Sequence, residues 1–287
     1  ELPGIDDHSP ALTGYLIFRT GPREISHRAG FAIVGLGWEI ACLMGAIPFL
    51  LAGTFPHFLD ALFESSSGFT TTGATVLEDI EVLPKGVLFW RSLTHWLGGM
   101  GIILFSMAIL PMLRVGGMQL YRAEVPGPVP DRLKPRIRET AKTLWIVYLL
   151  ISGVEVLLLW IGGMSLFDSV CHTFGTMATG GFSTRNASIG SYHSAYVDWV
   201  ITVFMVIAGA NFALHYLFLK GRTRRYFQDS EFRFYLLTIL CVTLVISFLL
   251  RSETYGSWAL ALRNGMFQVV SILTTTGYTT ADYEQWS

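Results

Sequence analysis

Charge is scarce in this chain. Lys, Arg, Asp and Glu make up 14% of its 287 residues, where a soluble globular domain carries roughly 25%. The formal net charge of −1 leaves no basic footprint of the kind nucleic acid requires. The three cysteines, Cys42, Cys171 and Cys241, stand far apart in apolar segments and form neither a metal-ligand spacing nor a disulfide framework. The seven histidines show no HxxxH or HExxH pattern, and no GxSxG occurs. No nucleophile recurs with a base nearby, so the chain does not read as an enzyme.

Long apolar runs stand in place of charge. Residues 234–250, 199–219 and 92–113 contain no Asp, Glu, Lys or Arg; 30–54 contains only Glu39 and 143–163 only Glu155. A hydrocarbon core about 30 Å thick needs roughly 20 apolar residues of helix. These five runs fit that length, and they lack the charged face a soluble helix would carry. The fold class expected is an all-α integral membrane protein.

Between the long runs lie three short ones, 57–69, 164–177 and 257–272, helix-permissive but too short to span. Each closes on a Thr/Gly run: GFTTTGAT (68–75), TMATGGFST (176–184) and ILTTTGYTT (272–280). The order is spanning helix, short helix, Thr/Gly run, spanning helix. It occurs twice in full and begins a third time. Phe63 and Phe267 stand ten residues before Gly73 and Gly277, and Val170 stands ten before Gly180, so the register expected pairs Gly73, Gly180 and Gly277.

Non-helical backbone at membrane depth is tolerated only where it is buried in protein or lines a watery cavity. A ring of backbone carbonyls that replaces a cation's hydration shell meets that condition, and glycine opens the φ > 0 conformations such a ring needs. No Asp or Glu recurs inside the three runs, which points to a monovalent cation and away from a divalent one. Seven Lys/Arg fall in 114–142 and five in 220–233, with Arg19, Arg23 and Arg28 before the first run, against only Lys85 in 54–86 and Arg185 in 163–198. The positive-inside bias places the basic connections in the cytoplasm and the Thr/Gly runs outside, beside Glu78, Asp79 and Glu81. A structural scaffold would leave three glycine runs in register unexplained.

The segments FESSSGFTTTGAT (63–75), LFWRSLTHWLGGMGIILF (88–105), AILPMLRVGGMQLYRAE (108–124), TFGTMATGGFST (173–184), GANFALHY (209–216) and SILTTTGYTTADY (271–283) resemble the TrkH/KtrB superfamily of potassium transporters, and within it the TrkH branch. The resemblance runs from about Arg28 to the end. It implies repeated potassium-channel-like M1–P–M2 units, four around one pore, each donating a re-entrant loop to a selectivity filter. The units would be a cytoplasmic-side flank at 1–27, a first M1–P–M2 unit at 28–113, a basic linker at 114–136, a second unit at 137–220, and the M1 and pore loop of a third at 221–287. The family's two extra N-terminal helices, third M2 with its gating loop, and fourth unit have no counterpart here. The chain therefore reads as part of a longer polypeptide.

The filter residues implied are Thr71, Thr72 and Gly73, then Ala178, Thr179 and Gly180, then Thr275, Thr276 and Gly277. A serine in the first filter accompanies sodium preference in plant relatives, so glycine at all three positions implies potassium; the alternative is a sodium-permeable or sodium-coupled transporter of the KtrB type. Potassium is the substrate, and no organic cofactor is implied. The partners implied are a second copy in a homodimer, a TrkA-like cytoplasmic nucleotide-binding subunit and membrane lipid, in a bacterial inner membrane. The basic stretches are a docking side for such a subunit or plain positive-inside topology. Arg91 either braces the first loop through Glu64 or a loop carbonyl, or snorkels to the interface. Asp168 reads as a helix cap, and Asn211 and His215 as neighbours on one helix face.

Overall fold

The structure, a computed structural model, describes residues 27–109, 133–283 and Trp286. The N-terminal flank up to residue 26 and most of the basic linker lie outside the described residues. By internal contacts the chain forms two units, residues 1–37 and 38–287; the described part of the first is the opening of helix α1.

Among the described residues all regular structure is helical. Helix α1 covers His27–Leu51, the short α2 Phe58–Phe69, and α3 Lys85–Ile109. Helix α4 covers Leu133–Ile161 and the short α5 Leu166–Met177; a 3-10 turn, Ser188–Tyr192, precedes α6, Ala195–Ala208. Then come α7, Phe212–Leu219, α8, Thr223–Gln228, α9, Ser230–Glu253, and α10, Trp258–Leu273.

Gly30–Leu51, Ala141–Ile161 and Ser230–Ser252 are long and apolar enough to cross a membrane. Their outward faces are apolar: Leu36, Val154 and Phe248 are all more than half exposed. In water that surface would be a liability, whereas lipid covers it without cost. Helices α2, α5 and α10 have 12, 12 and 16 residues, so at 1.5 Å per residue they reach about 18–24 Å and fall short of a span.

The run 199–219 is not one helix. Helices α6 and α7 meet at 102° across Gly209, Ala210 and Asn211. Asn211 is the N-cap of α7, its side chain accepting from the amide of Ala213 at 3.0 Å. Asn211 and His215 are thus not two interior positions of one continuous helix. The His215 ring instead reaches back across the break, its Nε2 lying 2.9 Å from the Ile207 carbonyl.

The chain's entry into each re-entrant segment is locally encoded. Helices α1 and α4 both end on a Schellman turn with a glycine in the left-handed region, Gly53 at φ 65° and Gly163 at φ 94°. Helix α5 opens on a serine cap: Ser165 accepts from the Asp168 amide at 3.1 Å while its hydroxyl donates to the Asp168 carboxylate at 2.7 Å. The cap is therefore Ser165, and Asp168 is its reciprocal partner three residues on.

A candidate ion filter at three re-entrant loops

Helices α2, α5 and α10 end in the same way. In a Schellman turn the αL residue is normally glycine. Here it is a threonine each time: Thr71 at φ 53°, Thr179 at φ 52° and Thr275 at φ 60°. The two defining bonds are present at all three ends: Thr71 N to Gly68 O and Thr72 N to Ser67 O; Thr179 N to Thr176 O and Gly180 N to Gly175 O; Thr275 N to Ile272 O and Thr276 N to Ser271 O. A β-branched residue at positive φ is strained, at a cost on the order of 1–3 kcal/mol. Three such residues at matched positions mark a backbone held for a purpose other than folding.

Two residues after each threonine the backbone turns positive again, at Gly73 (φ 77°), Gly181 (φ 78°) and Gly277 (φ 81°). Measured from the helix ends, Gly181 is the counterpart of Gly73 and Gly277, and the expected register through Gly180 is displaced by one residue. The cause lies in the Gly180–Gly181 pair, where either residue can take the left-handed conformation. Side-chain placement decides: a Cβ on Gly180 would strike the His95 ring, and one on Gly181 the carbonyl of Thr276. The phenylalanine match agrees with this register, Phe63 and Phe267 each standing six residues before a helix end, whereas Val170 stands seven before its own, one residue short of Cys171.

The loops meet edge to edge. The α-carbon of Gly73 abuts the carbonyl of Gly180, and that of Gly181 abuts the carbonyl of Thr276, so close that no Cβ would fit at either place. Each contact joins the second positive-φ residue of one loop to the residue just before that position in the next. Gly73 is thereby brought beside Gly180, and Gly181 beside Thr276 and Gly277. Ala178 caps α5 and is buried against the return helix, where a Cβ on Gly99 would come 2.8 Å from its α-carbon. The α2, α5 and α10 C-termini, with their partial negative charge, all end at this junction.

Within the first and third loops, hydroxyl groups fix the strand that follows the helix. Ser67 donates to the Ala74 carbonyl at 2.5 Å and Ser271 to the Tyr278 carbonyl at 2.7 Å. Thr70 donates to the Ser66 carbonyl at 2.7 Å and pairs with the Thr72 hydroxyl at 2.8 Å; Thr274 donates to the Val270 carbonyl at 2.8 Å and pairs with Thr276 at 2.8 Å. The second loop has Gly175, Ala178 and Gly180 at the corresponding places.

Behind the loops sits a buried ion pair. Arg91, 2% exposed on α3, donates through Nε to the fully buried Glu64 of α2 at 2.5 Å and through a terminal nitrogen to the Ser183 carbonyl at 3.1 Å. Its guanidinium lies 3.5 Å from the centre of the Phe182 ring, and the same ring stacks on His95 at 3.9 Å. Glu64 also accepts from the Thr75 hydroxyl at 2.9 Å, two residues beyond Gly73. Arg91 is thus turned inward and joins the first short helix to the second loop. The same relation recurs in the second loop, where His172 Nε2 lies 3.0 Å from the Ser183 hydroxyl, two residues beyond Gly181. Sequence reasoning passed over Gly181, Phe182, His172 and Ser183. Counting from each helix end, and not from the first glycine, would have found them.

The segments that follow the first two loops are laced together. Asn186 donates to Asp79 at 2.7 Å and accepts from the Ile80 amide at 2.8 Å, while Arg185 meets Glu81 at 3.3 Å. The Asn186 amide, then the Glu81 backbone, hold the Asp79 carboxyl below its ordinary range. Of the three acids expected at the mouth, two are therefore engaged in joining the first loop to the second. The Gly190 amide donates to the Thr279 carbonyl at 3.0 Å and ties the second to the third. Glu155 is fully buried in α4 within reach of the Thr176 hydroxyl of α5, and Glu39 is exposed on α1.

Comparison with known proteins gives one consistent result. Residues 10–287 match the family described as TrkH, cation transport protein. The chain is 46% identical over 272 residues to the Trk system potassium uptake protein TrkH of Escherichia coli K12, covering 92% of this chain and 55% of that protein. It is 44% identical over 275 residues to the protein of the same name from Vibrio parahaemolyticus, covering 93% and 56%. It also superposes on the crystal structure of the potassium transporter TrkH from Vibrio parahaemolyticus with a TM-score of 0.84 and 38% identity, over 96% of this chain and 57% of that one. The chain spans about half the length of the relatives it matches. With its apolar helices and three re-entrant loops, this multi-pass inner-membrane chain belongs to the TrkH family of cation transport proteins.

Proposed function

We propose that the full-length protein takes up potassium through a pore and that this chain supplies three loops of its filter. One observation carries the reading. Three helix ends share one strained backbone pattern, and the second positive-φ glycine of one loop abuts a carbonyl of the next at both described junctions. Such a pattern turns successive carbonyls to one side. The ion ligands proposed are Thr71, Thr72 and Gly73, Ala178, Thr179 and Gly180, and Thr275, Thr276 and Gly277, with Gly181 added as the true counterpart of Gly73. Oxygen dipoles without a carboxylate suit a weakly hydrated monovalent ion. Glu64 and Arg91 hold the junction from behind. A cation on the axis would repel the permeant ion, so a paired, inward-turned arginine fits a supporting role. The reading extends to a homodimer working with a TrkA-like cytoplasmic nucleotide-binding subunit. It is supported by the relatives' names as parts of a Trk system and by the Lys/Arg clusters in the connections expected to be cytoplasmic.

The test is growth and ion flux with the full-length protein in a bacterium lacking its own potassium uptake. The wild type should restore growth at low potassium. Gly73→Ser should raise sodium flux relative to potassium, because a side chain there is strained at φ 77° and strikes the Gly180 carbonyl. Unchanged ion preference in that variant would overturn the filter assignment.

A further inference from the structure

The second loop lacks the serine that ties the strand to the helix in the other two. The residue two before the helix end is Ser67 in the first repeat and Ser271 in the third, each donating to the carbonyl seven residues on. In the second repeat that residue is Gly175, and the corresponding carbonyl belongs to Phe182. Into the space where a serine would stand comes a hydroxyl from another loop. The Tyr278 Oη lies 3.0 Å from the His172 carbonyl and 3.2 Å from the Phe182 carbonyl, and Tyr278 is fully buried. A Cβ built on Gly175 would collide with that oxygen and come 3.0 Å from the Phe182 carbonyl. Gly175 and Tyr278 are therefore complementary: the glycine vacates the volume that the tyrosine hydroxyl fills.

We propose that Tyr278 is a positioning residue of the second loop, its hydroxyl supplying in trans the tie that a serine supplies within the first and third. The inference rests on the filter reading for its effect on ions, and on geometry alone for the tie itself. Its consequence is directional. The Tyr278 main chain is fixed by Ser271 of its own helix, and its side chain then fixes the carbonyl of the loop before it. Disorder in the third loop thus propagates to the second.

The test is a double-mutant cycle in the full-length protein with Tyr278→Phe, Gly175→Ser and both together. Tyr278→Phe leaves a buried carbonyl without its donor, and a lost hydrogen bond of this kind corresponds to about a fivefold effect. The potassium-over-sodium flux ratio is expected to fall by about that factor, with a drop in Tm of about 2–4 °C in the purified protein. Gly175→Ser alone should be at least as damaging, because its Cβ meets the tyrosine oxygen. In the double variant the serine takes over the tie while the remaining ring, 3.3 Å from the new Cβ at its tip, gives by a few tenths of an ångström. Both flux ratio and Tm should return towards wild type. A Tyr278→Phe protein indistinguishable from wild type in both readouts, or a double variant no better than the worse single, would overturn the proposal. If the wild type itself does not discriminate potassium from sodium, the filter reading falls separately, and the Tm cycle alone decides whether the tie exists.

Discussion

Just after the helix, the first and third loops are tied by their own hydroxyls, whereas the second draws the corresponding support from its neighbours. Loops one and three carry a serine and two threonines at matched positions; the serine and the first threonine satisfy carbonyls within their own segment, and the second threonine pairs with the first. The second loop has glycine, alanine and glycine there, yet its backbone takes the same angles to within a few degrees at Thr179 and Gly181. What replaces the hydroxyls arrives from elsewhere. His95 of α3 fills the space beside Gly180, Arg91 binds the Ser183 carbonyl, and Tyr278 reaches the Phe182 carbonyl. Identical backbone geometry is thus reached by two routes, one local and one tertiary. The second loop meets both of the others, at the Gly73–Gly180 and Gly181–Thr276 contacts.

The comparison can be broken most severely at the ion pair that serves both kinds of loop. Glu64→Ala would leave Arg91 buried at 2% exposure without its carboxylate, at a cost of about 3–5 kcal/mol. Arg91→Ala would strand the carboxylate in the same way. Both should lower the amount of folded protein in the membrane, measured by quantitative immunoblot and by melting of the solubilised protein. The molecules that remain should keep their ion preference, because the pair sits behind the loops.

A smaller but more discriminating effect is expected from the adjacent glycines. Gly181→Ala places a side chain at φ 78° and into the main-chain carbonyl of Thr276, and no side-chain substitution can remove that obstacle. About 2 kcal/mol or more should be lost, with uptake. Gly180→Ala meets the His95 ring first, so adding His95→Ala should recover part of the loss. Equal damage in both positions, with no rescue at Gly180, would restore the register through Gly180 and remove the equivalence on which the comparison stands.

The smallest effect sharpens the local route. Ser67→Ala and Ser271→Ala each delete one hydrogen bond within their own loop, worth about 1 kcal/mol. The Ser271 variant should disturb ion preference more than the Ser67 variant, since it frees the strand whose tyrosine supports the second loop. Flux ratios that rank the two the other way would show that the third loop does not support the second.

Much of this molecule is written in properties that a linear stretch of residues carries alone. Apolar length separates spanning helices from short ones, because a bilayer of fixed thickness selects for it; the three short helices end at Phe69, Met177 and Leu273, where the Thr/Gly runs begin. The recurrence of those runs, and the nearness of Glu64 to the first, are likewise features of order along the chain. Tertiary structure decided what depends on who stands opposite. The charge-free run 199–219 breaks by 102° because Asn211 can cap a new helix and His215 can reach the carbonyl left at Ile207, neither of which a hydropathy pattern registers. Two consecutive glycines are equivalent until His95 and the Thr276 carbonyl close in from either side. Gly175 reads as a missing side chain until Tyr278, 103 positions further along, is found occupying its place. Chain-local quantities such as length, period and propensity survive in the sequence, whereas excluded volume and hydrogen-bond partnership between distant segments exist only once those segments have met.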